Sequence, residues 1–531
     1  MKKLPLGVST FSEIIEEDYI YVDKTRYIYK MINTGKVYFL SRPRRFGKSL
    51  LVSTLKSLFQ GEKNLFKSLY IYDKWDWSEK YPVIHLDFGS RTRKNPEKLE
   101  LSLNKFLNDT AEDYKIELED IDLLADKFEE LIKKLHKKAG KKVVILIDEY
   151  DKAILDSMKN IEIAKKNRDT LSSFYQVLKA SDEHLKFIFL TGVSKFSKTS
   201  IFSGLNHLDD ITLDHAFSNI CGYSQEELET CFNEYIANLS KKGDIEKGEL
   251  LTLIKKWYDG YSWDGNNRMY NPFSIISLFK KGIFRNYWYE TGTPSFLIDF
   301  IRNNPQDSSV LLEKNTCIEG DFPEFDLEDL DLTTLLLQTG YLTIKSENIQ
   351  FGELPQYELA IPNYEVNLSL FRSIIHKNFK EKSQNVTILA KKIFKAIRET
   401  DNKSLQKYFD ILSSSIPAIL YGKIKKDIRE ANFHIWFLSW FKLMGFHVTG
   451  EVLISHGTLD VLLEKDNLLI VCEIKYSEKE DLEKLAIKAV NQIKDNEYYL
   501  PYLEHSVILL GVGFSNREIK ARLEPLVAKD S

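Results

Sequence analysis

The sequence predicts an α/β protein. It reads as an N-terminal domain with a parallel sheet and a phosphate-binding loop, then a helical middle with a winged-helix-like part, then a second α/β domain. Three observations lead there. The run Val37-Tyr38-Phe39-Leu40 is followed by Ser41-Arg42-Pro43-Arg44-Arg45-Phe46-Gly47-Lys48-Ser49, a buried strand that turns through a loop into a helix N-terminus. Val143 to Ile147 is an unbroken apolar run between two lysines and Asp148-Glu149, as in a parallel strand covered on both faces. Asp460 is followed 13 residues later by Glu473 and then Lys475, on what read as neighbouring strands.

At 531 residues and 61.9 kDa the chain is too long for one core, and three domains are expected, at 1–205, 206–385 and 386–531. A net charge of −4 and a pI near 6.3 exclude a globally basic protein, so any nucleic-acid surface must be a local patch. Cys221, Cys231, Cys317 and Cys472 are widely spread with no CxxC pairing, which argues for reduced thiols and against a disulfide framework or zinc site. Neither a leader-like segment nor a long apolar run is present, so a cytoplasmic protein without a membrane span is expected.

In the loop, Lys48 would reach the β and γ phosphates of a nucleotide and the Ser49 hydroxyl would hold Mg2+. The first glycine of such loops is replaced by Arg42. The candidate nucleotide-binding set is Arg44, Arg45, Phe46, Gly47, Lys48, Ser49 and Leu50, opening a helix that runs to Phe59. The segment Tyr21-Val22-Asp23-Lys24-Thr25 reads either as a contact near the base or as a capped entry to the helix at Arg26–Ile32. Val83 to Phe88 reads as a second strand, and a long helical, acidic stretch runs from about Pro96 to Ala139, closed by Gly140. The strand from Val143 ends in Asp148, placed to hold Mg2+, and Glu149, placed to orient or deprotonate the attacking water. Leu185 to Thr191 is a third strand, and Thr191 and Ser194 are candidates to sense the γ-phosphate.

Helical spacing continues at Ser224–Asn238 and Glu249–Tyr258. A helix at Leu330–Leu337 followed by two short strands suggests a winged-helix-like lid, and Trp257, Trp263 and Trp288 read as core rather than a base-stacking surface. The C-terminal domain reads as a helix, three strands, a helix and a final strand. On its third strand Glu473 and Lys475 share a face. Asp460 on the adjacent strand can join Glu473 in a two-carboxylate Mg2+ site, with Lys475 beside the metal, which is what metal-assisted phosphodiester hydrolysis requires. Glu473 is the polar exception in an apolar strand, and a buried acid usually marks a site.

The stretches Tyr21 to Thr25, Phe39 to Leu50, Ile147-Asp148-Glu149-Tyr150-Asp151, Tyr258-Asp259-Gly260-Tyr261, Tyr270 to Ser274, Tyr287 to Gly292 and Gln338-Thr339-Gly340-Tyr341-Leu342 resemble the bacterial AAA-ATPase-like family. The resemblance covers nearly the whole chain. It implies a P-loop NTPase domain with an AAA/RecA-like parallel sheet, in which an arginine-rich loop replaces the first glycine. It also implies a C-terminal PD-(D/E)XK, restriction-endonuclease-like domain. Within that superfamily Glu430 resembles the upstream acid, and Gln492 and Tyr498 the motif of the following helix. Thr458 departs from the basic residue of the Gly-Arg-x-Asp pattern. The function expected is an ATP-binding, ATP-hydrolysing protein coupled to a Mg2+-dependent DNA nuclease, forming a homo-oligomer on ATP binding. The alternative is an ATP-driven signalling or assembly switch whose nuclease-like fold binds without cleaving. Arg42, Arg44 and Arg45 are left three roles: covering phosphates, pairing with acids of a neighbouring subunit, or touching DNA.

Overall fold

A computed structural model of the chain describes residues 1–89, 95–195, 208–290, 297, 300–301, 315–318, 331–379, 383–414, 426–454, 457–515 and 518–526. The chain divides into two compact units, Met1–Gly292 with Thr316–Tyr364, and Thr293–Asn315 with Glu365–Ser531. Among the described residues no helix is long and apolar enough to cross a membrane, and Cys221, Cys231 and Cys472 are free thiols.

The first unit opens with α1 (Phe11–Glu16) and α2 (Thr25–Thr34), then alternates strands and helices. These are β1 (Val37–Ser41), α3 (Lys48–Phe59), β2 (Val83–Asp87), α4 (Pro96–Asp113), α5 (Leu124–Ala139), β3 (Val143–Asp148), α6 (Lys152–Leu155), α7 (Ile161–Ala180), β4 (Leu185–Gly192) and β5 (Asp209–Asp210). The strands form one sheet in the order β2-β3-β4-β1-β5, with parallel pairing throughout. Every residue of β1 and β3 is buried, which is why both read as unbroken apolar runs. Because the strands run the same way, the loop after β1, the end of β3 and the end of β4 lie along one edge of the sheet. That carboxyl edge is where open α/β sheets bind ligands.

The stretch from Pro96 to Ala139 is two helices rather than one. Asn95 caps α4 by accepting from the Lys98 N–H. The helix then closes at Lys115, whose φ of +53° is left-handed, with Ile116 N–H donating to Ala111 C=O at 2.7 Å. This is a Schellman-type stop that the acidic composition concealed. Gly140 (φ +63°) ends α5 in the same way.

Next come α8 (Gln225–Cys231), α9 (Asn233–Gly243), α10 (Lys247–Tyr258), α11 (Pro272–Lys281) and α12 (Tyr287–Glu290). Buried Phe232 separates α8 from α9, so the predicted Ser224–Asn238 helix is also two. Ser224 and Glu227 make a reciprocal capping box at α8, and Asn271 with Pro272 starts α11, both strong helix-start signals. The expected helix and strand pair are present as α13 (Leu332–Thr339) and an antiparallel hairpin, β7 (Thr343–Asn348) with β8 (Gln356–Ala360). A third strand, β6 (Asn315–Ile318), adds to β8. Trp263 and Trp288 are buried, as expected of core aromatics.

The second unit contains α14 (Tyr364–Phe379), α15 (Ser383–Arg398), α16 (Asn402–Ser414) and α17 (Lys426–Leu443). They are followed by β9 (His447–Ile454), β10 (Gly457–Lys465), β11 (Leu468–Tyr476), α18 (Leu482–Asp495), β12 (Ser506–Phe514) and β13 (Ile519–Pro525). The sheet order is β13-β12-β11-β10-β9. β11 and β12 are parallel, joined through α18, and the other pairs are antiparallel. β13 is one strand more than the sequence pattern predicts. Its run Ile519-Lys520-Ala521-Arg522-Leu523 alternates apolar and basic residues, which is an edge-strand pattern.

Candidate functional site

Gly47 holds a φ of +95° at the start of α3, a left-handed turn that aims the first N–H groups of the helix into the space above the sheet edge. A cavity of about 470 Å3 lies there. Arg44 to Leu51, Gly89, Glu149 and Lys152 line it, together with Leu6, Val8, Tyr21, Val22, Lys24, Pro272, Phe273 and Ile276. Charged and polar side chains thus line the cavity together with apolar ones, as a nucleotide requires. Tyr21, Val22 and Lys24 line the cavity, while Asp23 accepts from the Thr25 N–H and hydroxyl at 2.8 and 2.7 Å.

Lys48 is buried and its ammonium donates to Arg42 C=O at 2.8 Å and Pro43 C=O at 3.1 Å. Burial pulls its pKa below the ordinary value, and Asp148 and Glu149 act against that pull. Asp148, buried at the end of β3, accepts from the Thr191 hydroxyl at 2.6 Å. The predicted sensor therefore sits on the predicted metal ligand. Glu149 has a φ of +54° and reaches the cavity, where its carboxylate lies 3.6 Å from the Lys152 ammonium. Ser49 is half-buried and lines the same cavity. Ser49 and Asp148 offer the hard oxygens that Mg2+ prefers.

The three arginines separate. Arg42 is fully buried. Its guanidinium donates to Ser41 C=O and Thr212 C=O, each at 2.8 Å, and to Phe217 C=O at 3.3 Å, and lies 4.0 Å over the Trp263 ring. It faces the interior, so none of its three expected roles fits this placement. Arg44 is half-buried, and its carbonyl accepts from the Trp288 indole at 3.0 Å. Arg45 is exposed, over the Phe273 ring. The Phe46 ring is buried edge-on against Tyr261 and Trp263, so it anchors the loop and leaves only its backbone for a ligand. A Cβ on Gly340 would come within 2.7 Å of Pro43. The Gln338-Thr339-Gly340 turn therefore braces the phosphate loop from behind.

Sequence reasoning missed Asp151. Buried beneath this edge, its carboxylate accepts from the N–H groups of Val193 and Ser194 at 2.9 and 2.6 Å. Tyr150 donates to Ser194 C=O at 2.8 Å. Together they tie the end of β3 to the turn after β4. Burial pushes the Asp151 carboxyl up to about 6. The available signal was the third acid of Asp-Glu-Tyr-Asp, too polar to follow a buried strand without a partner.

In the second unit Val461 stands opposite Cys472, which puts Asp460 and Glu473 next to each other in register. Asp460 accepts from the Ile474 N–H at 2.8 Å. The Gln492 amide bridges the site, donating to Glu473 Oε1 and accepting from the Lys475 ammonium at 2.5 Å. Glu473 is buried and its Oε2 has no hydrogen-bond partner among the described residues. A buried carboxylate oxygen in that condition, beside a second carboxylate, fits a hard divalent cation. Burial first and Asp460 second push the Glu473 carboxyl up to about 7.

The glycines of Gly511-Val512-Gly513, which the sequence reading passed over, explain how Gln492 gets there. Gly511 pairs with Glu473 and Gly513 with Lys475. A Cβ on either would meet a backbone carbonyl of α18 at 2.1 or 2.4 Å. Only glycine lets the helix descend onto that face of the sheet.

Glu430 lies in α17, but its side chain, like that of Thr458, falls outside the described residues. The same holds for the side chains of Lys423, Lys425, Lys426 and Arg429. Lys488 and Lys494 are paired with Glu480 and Glu524 at 2.7 and 2.5 Å, so acids offset the positive charge of both.

Comparison with known proteins agrees with this division. Residues 5–202 match the AAA-ATPase-like family, described as a predicted AAA-ATPase. Residues 428–522 match the PD-(D/E)XK nuclease superfamily. The chain is 37% identical over 517 residues, 97% of its length, to an uncharacterized protein in the vnfD 5′ region of Azotobacter chroococcum mcd 1, of which 96% is covered.

Proposed function

This chain belongs to the AAA-ATPase-like family, with a PD-(D/E)XK nuclease-superfamily domain at its C-terminus. From that premise we propose that it binds and hydrolyses ATP at the phosphate loop and uses the Asp460–Glu473 site to cleave DNA. The observation that carries the ATPase reading is the one cavity that Gly47, Lys48, Ser49 and Glu149 all line. Phosphoryl transfer asks a protein mainly for position and compensating charge. Lys48 would leave the loop carbonyls for the β and γ phosphates, Ser49 and Asp148 would hold Mg2+, and Glu149 would orient the attacking water. Thr191, through its bond to Asp148, would keep that carboxylate aimed.

At the second site Asp460 and Glu473 would hold Mg2+, which supplies a polarised water and positive charge when bound. Lys475 would face the developing negative charge on the scissile phosphate, with Gln492 keeping it beside Glu473. The decisive experiment incubates single-stranded, duplex and branched DNA with the purified chain, Mg2+ or Mn2+, and ATP, a non-hydrolysable analogue or no nucleotide. Cleavage that disappears in Asp460→Ala and Lys475→Ala is expected. Intact DNA under every condition would remove the nuclease half of the reading.

A second reading keeps the ATPase but makes the C-terminal unit a binding module. Two observations favour it: Lys488 and Lys494 are already paired with acids, and Thr458 replaces the basic residue of the pattern. ATP-dependent assembly that survives Asp460→Ala but not Lys48→Ala would select it.

A further inference from the structure

Hydrolysis of a nucleotide builds charge on the γ-phosphoryl oxygens, and P-loop enzymes commonly meet it with a cation beyond the loop lysine, given by the same chain or a partner. Resting on the ATPase reading above, we propose that Lys152 is that cation, supplied in cis. The described cations lining the cavity are Lys24, Arg44, Arg45, Lys48 and Lys152. Lys24 is buried and bound to both carboxylate oxygens of Glu227 at 2.7 Å. Arg44 and Arg45 belong to the phosphate loop itself, the second exposed over Phe273, and Lys48 already has the loop lysine's task. Lys152 is different: its ammonium stands 3.6 Å from Glu149 Oε2, the carboxylate placed to orient the water.

A group that orients the attacking water must sit just beyond the γ-phosphate, so a cation one ion pair away is within reach of the same phosphate. The sharp turn at Glu149 (φ +54°) carries the chain from β3 straight into the short α6. That brings residue 152 back beside residue 149. The Glu149–Lys152 pair is loose and about one-third exposed on both sides, a contact that a phosphate can take over at little cost.

In the step itself, the water oxygen forms a bond to the γ-phosphorus and the bond to the β–γ bridging oxygen breaks, its electron pair leaving on ADP. Glu149 takes one proton from the water and returns it to the phosphate released. Lys152 donates N–H bonds to the equatorial γ-oxygens throughout and loses no proton.

The test compares the wild-type chain with K152M and K152R. We measure ADP affinity by calorimetry, ADP–aluminium fluoride affinity in the same way, and ATP turnover across a range of protein concentrations. K152M is expected to bind ADP within about threefold of wild type, since a contact made only in the transition state leaves ground-state binding alone. It should lose the extra affinity for the fluoride complex and about 100-fold or more in kcat, with partial recovery in K152R. Wild-type turnover per chain should not depend on concentration.

Unchanged turnover and fluoride affinity in K152M overturn the assignment while leaving the ATPase intact. Turnover per chain that rises with concentration gives the cation to another subunit and does the same. A wild-type chain that hydrolyses no ATP removes the ATPase reading and this one with it. Should K152M also lose ADP binding, K152Q replaces it with the same two readings.

Discussion

Replacing Arg42 decides whether the arginine that stands in for a loop glycine acts on the ligand or on the fold. The guanidinium has no exposure, donates two bonds of 2.8 Å and one of 3.3 Å to backbone carbonyls, and covers the Trp263 ring at 4.0 Å. Arg42→Ala loses bonds to a charged group worth about 4–5 kcal/mol together, and a buried cation–π contact worth about 2 kcal/mol. It also gains something. Burial pulls the Arg42 pKa from the ordinary arginine value down to about 10, and at 1.36 kcal/mol per pH unit that net shift corresponds to about 3 kcal/mol against the charged form, which the variant is spared. The net cost is about 4 kcal/mol before any cavity is counted. Unfolding entropy near 2.1 cal/mol/K per residue, over a unit of the size bounded by Met1–Gly292 and Thr316–Tyr364, makes that a fall in Tm of about 5 °C. Scanning calorimetry of the full chain reads the shift, and ATP titration reads the affinity of the protein that remains folded. Arg42→Lys, which keeps the charge but neither forks nor stacks, should fall between. A variant within about 1 °C of wild type whose ATP affinity drops tenfold would refute the argument and put the guanidinium on the phosphates.

The remaining predictions follow from the other buried groups. Glu473 is pushed to about 7, and a cation needs it deprotonated. Mn2+ affinity measured by calorimetry should therefore fall as pH drops through 7, by up to tenfold per unit below it, and Glu473→Gln should flatten that dependence; a pH-independent affinity in the wild type contradicts the assignment. Asp151 titrates at about 6 in the folded chain against an ordinary 3.8, so the folded state holds its proton more tightly. Its contribution to stability is full below about pH 4 and is lost as pH rises through 6, at up to about 1.4 kcal/mol per unit. Wild type should lose stability relative to Asp151→Asn across that window, and parallel curves in urea would count against it. Gly511→Ala places a methyl 2.1 Å from Ala486 C=O. Overpacking of this kind costs about 1–3 kcal/mol or more and lifts α18 off β12, so Mn2+ affinity should fall with stability; an unchanged variant would mean that the close approach is not needed.

What was legible in the sequence is what local chemistry dictates. A strand buried on both faces has to be an apolar run, so β1, β3, β4 and β11 were visible within a residue or two. A left-handed turn into a helix asks for glycine, so Gly47-Lys48-Ser49 was visible too. The pair Asp460 and Glu473 followed from period two alone, because one register places them side by side. The misses share a different cause. Ile116 closes α4 through its own backbone, which acidic composition does not report. Arg42 is committed to Thr212, Phe217 and Trp263, partners 170 residues or more away, and nothing near it in sequence announces that it turns inward. Asp151 and Gly511 are the same case: one acid and one glycine whose meaning lies in Val193, Ser194 and Ala486. The arginine-rich loop therefore combines two kinds of residue. Gly47, Lys48 and Ser49 line the cavity, whereas Arg42, Pro43 and Phe46 are set by the core they hold to. The second kind explains how a phosphate loop keeps its shape without its first glycine. Loss of flexibility at position 42 is offset by a side chain that pins the loop from inside, so a glycine restored there should loosen the loop rather than improve it.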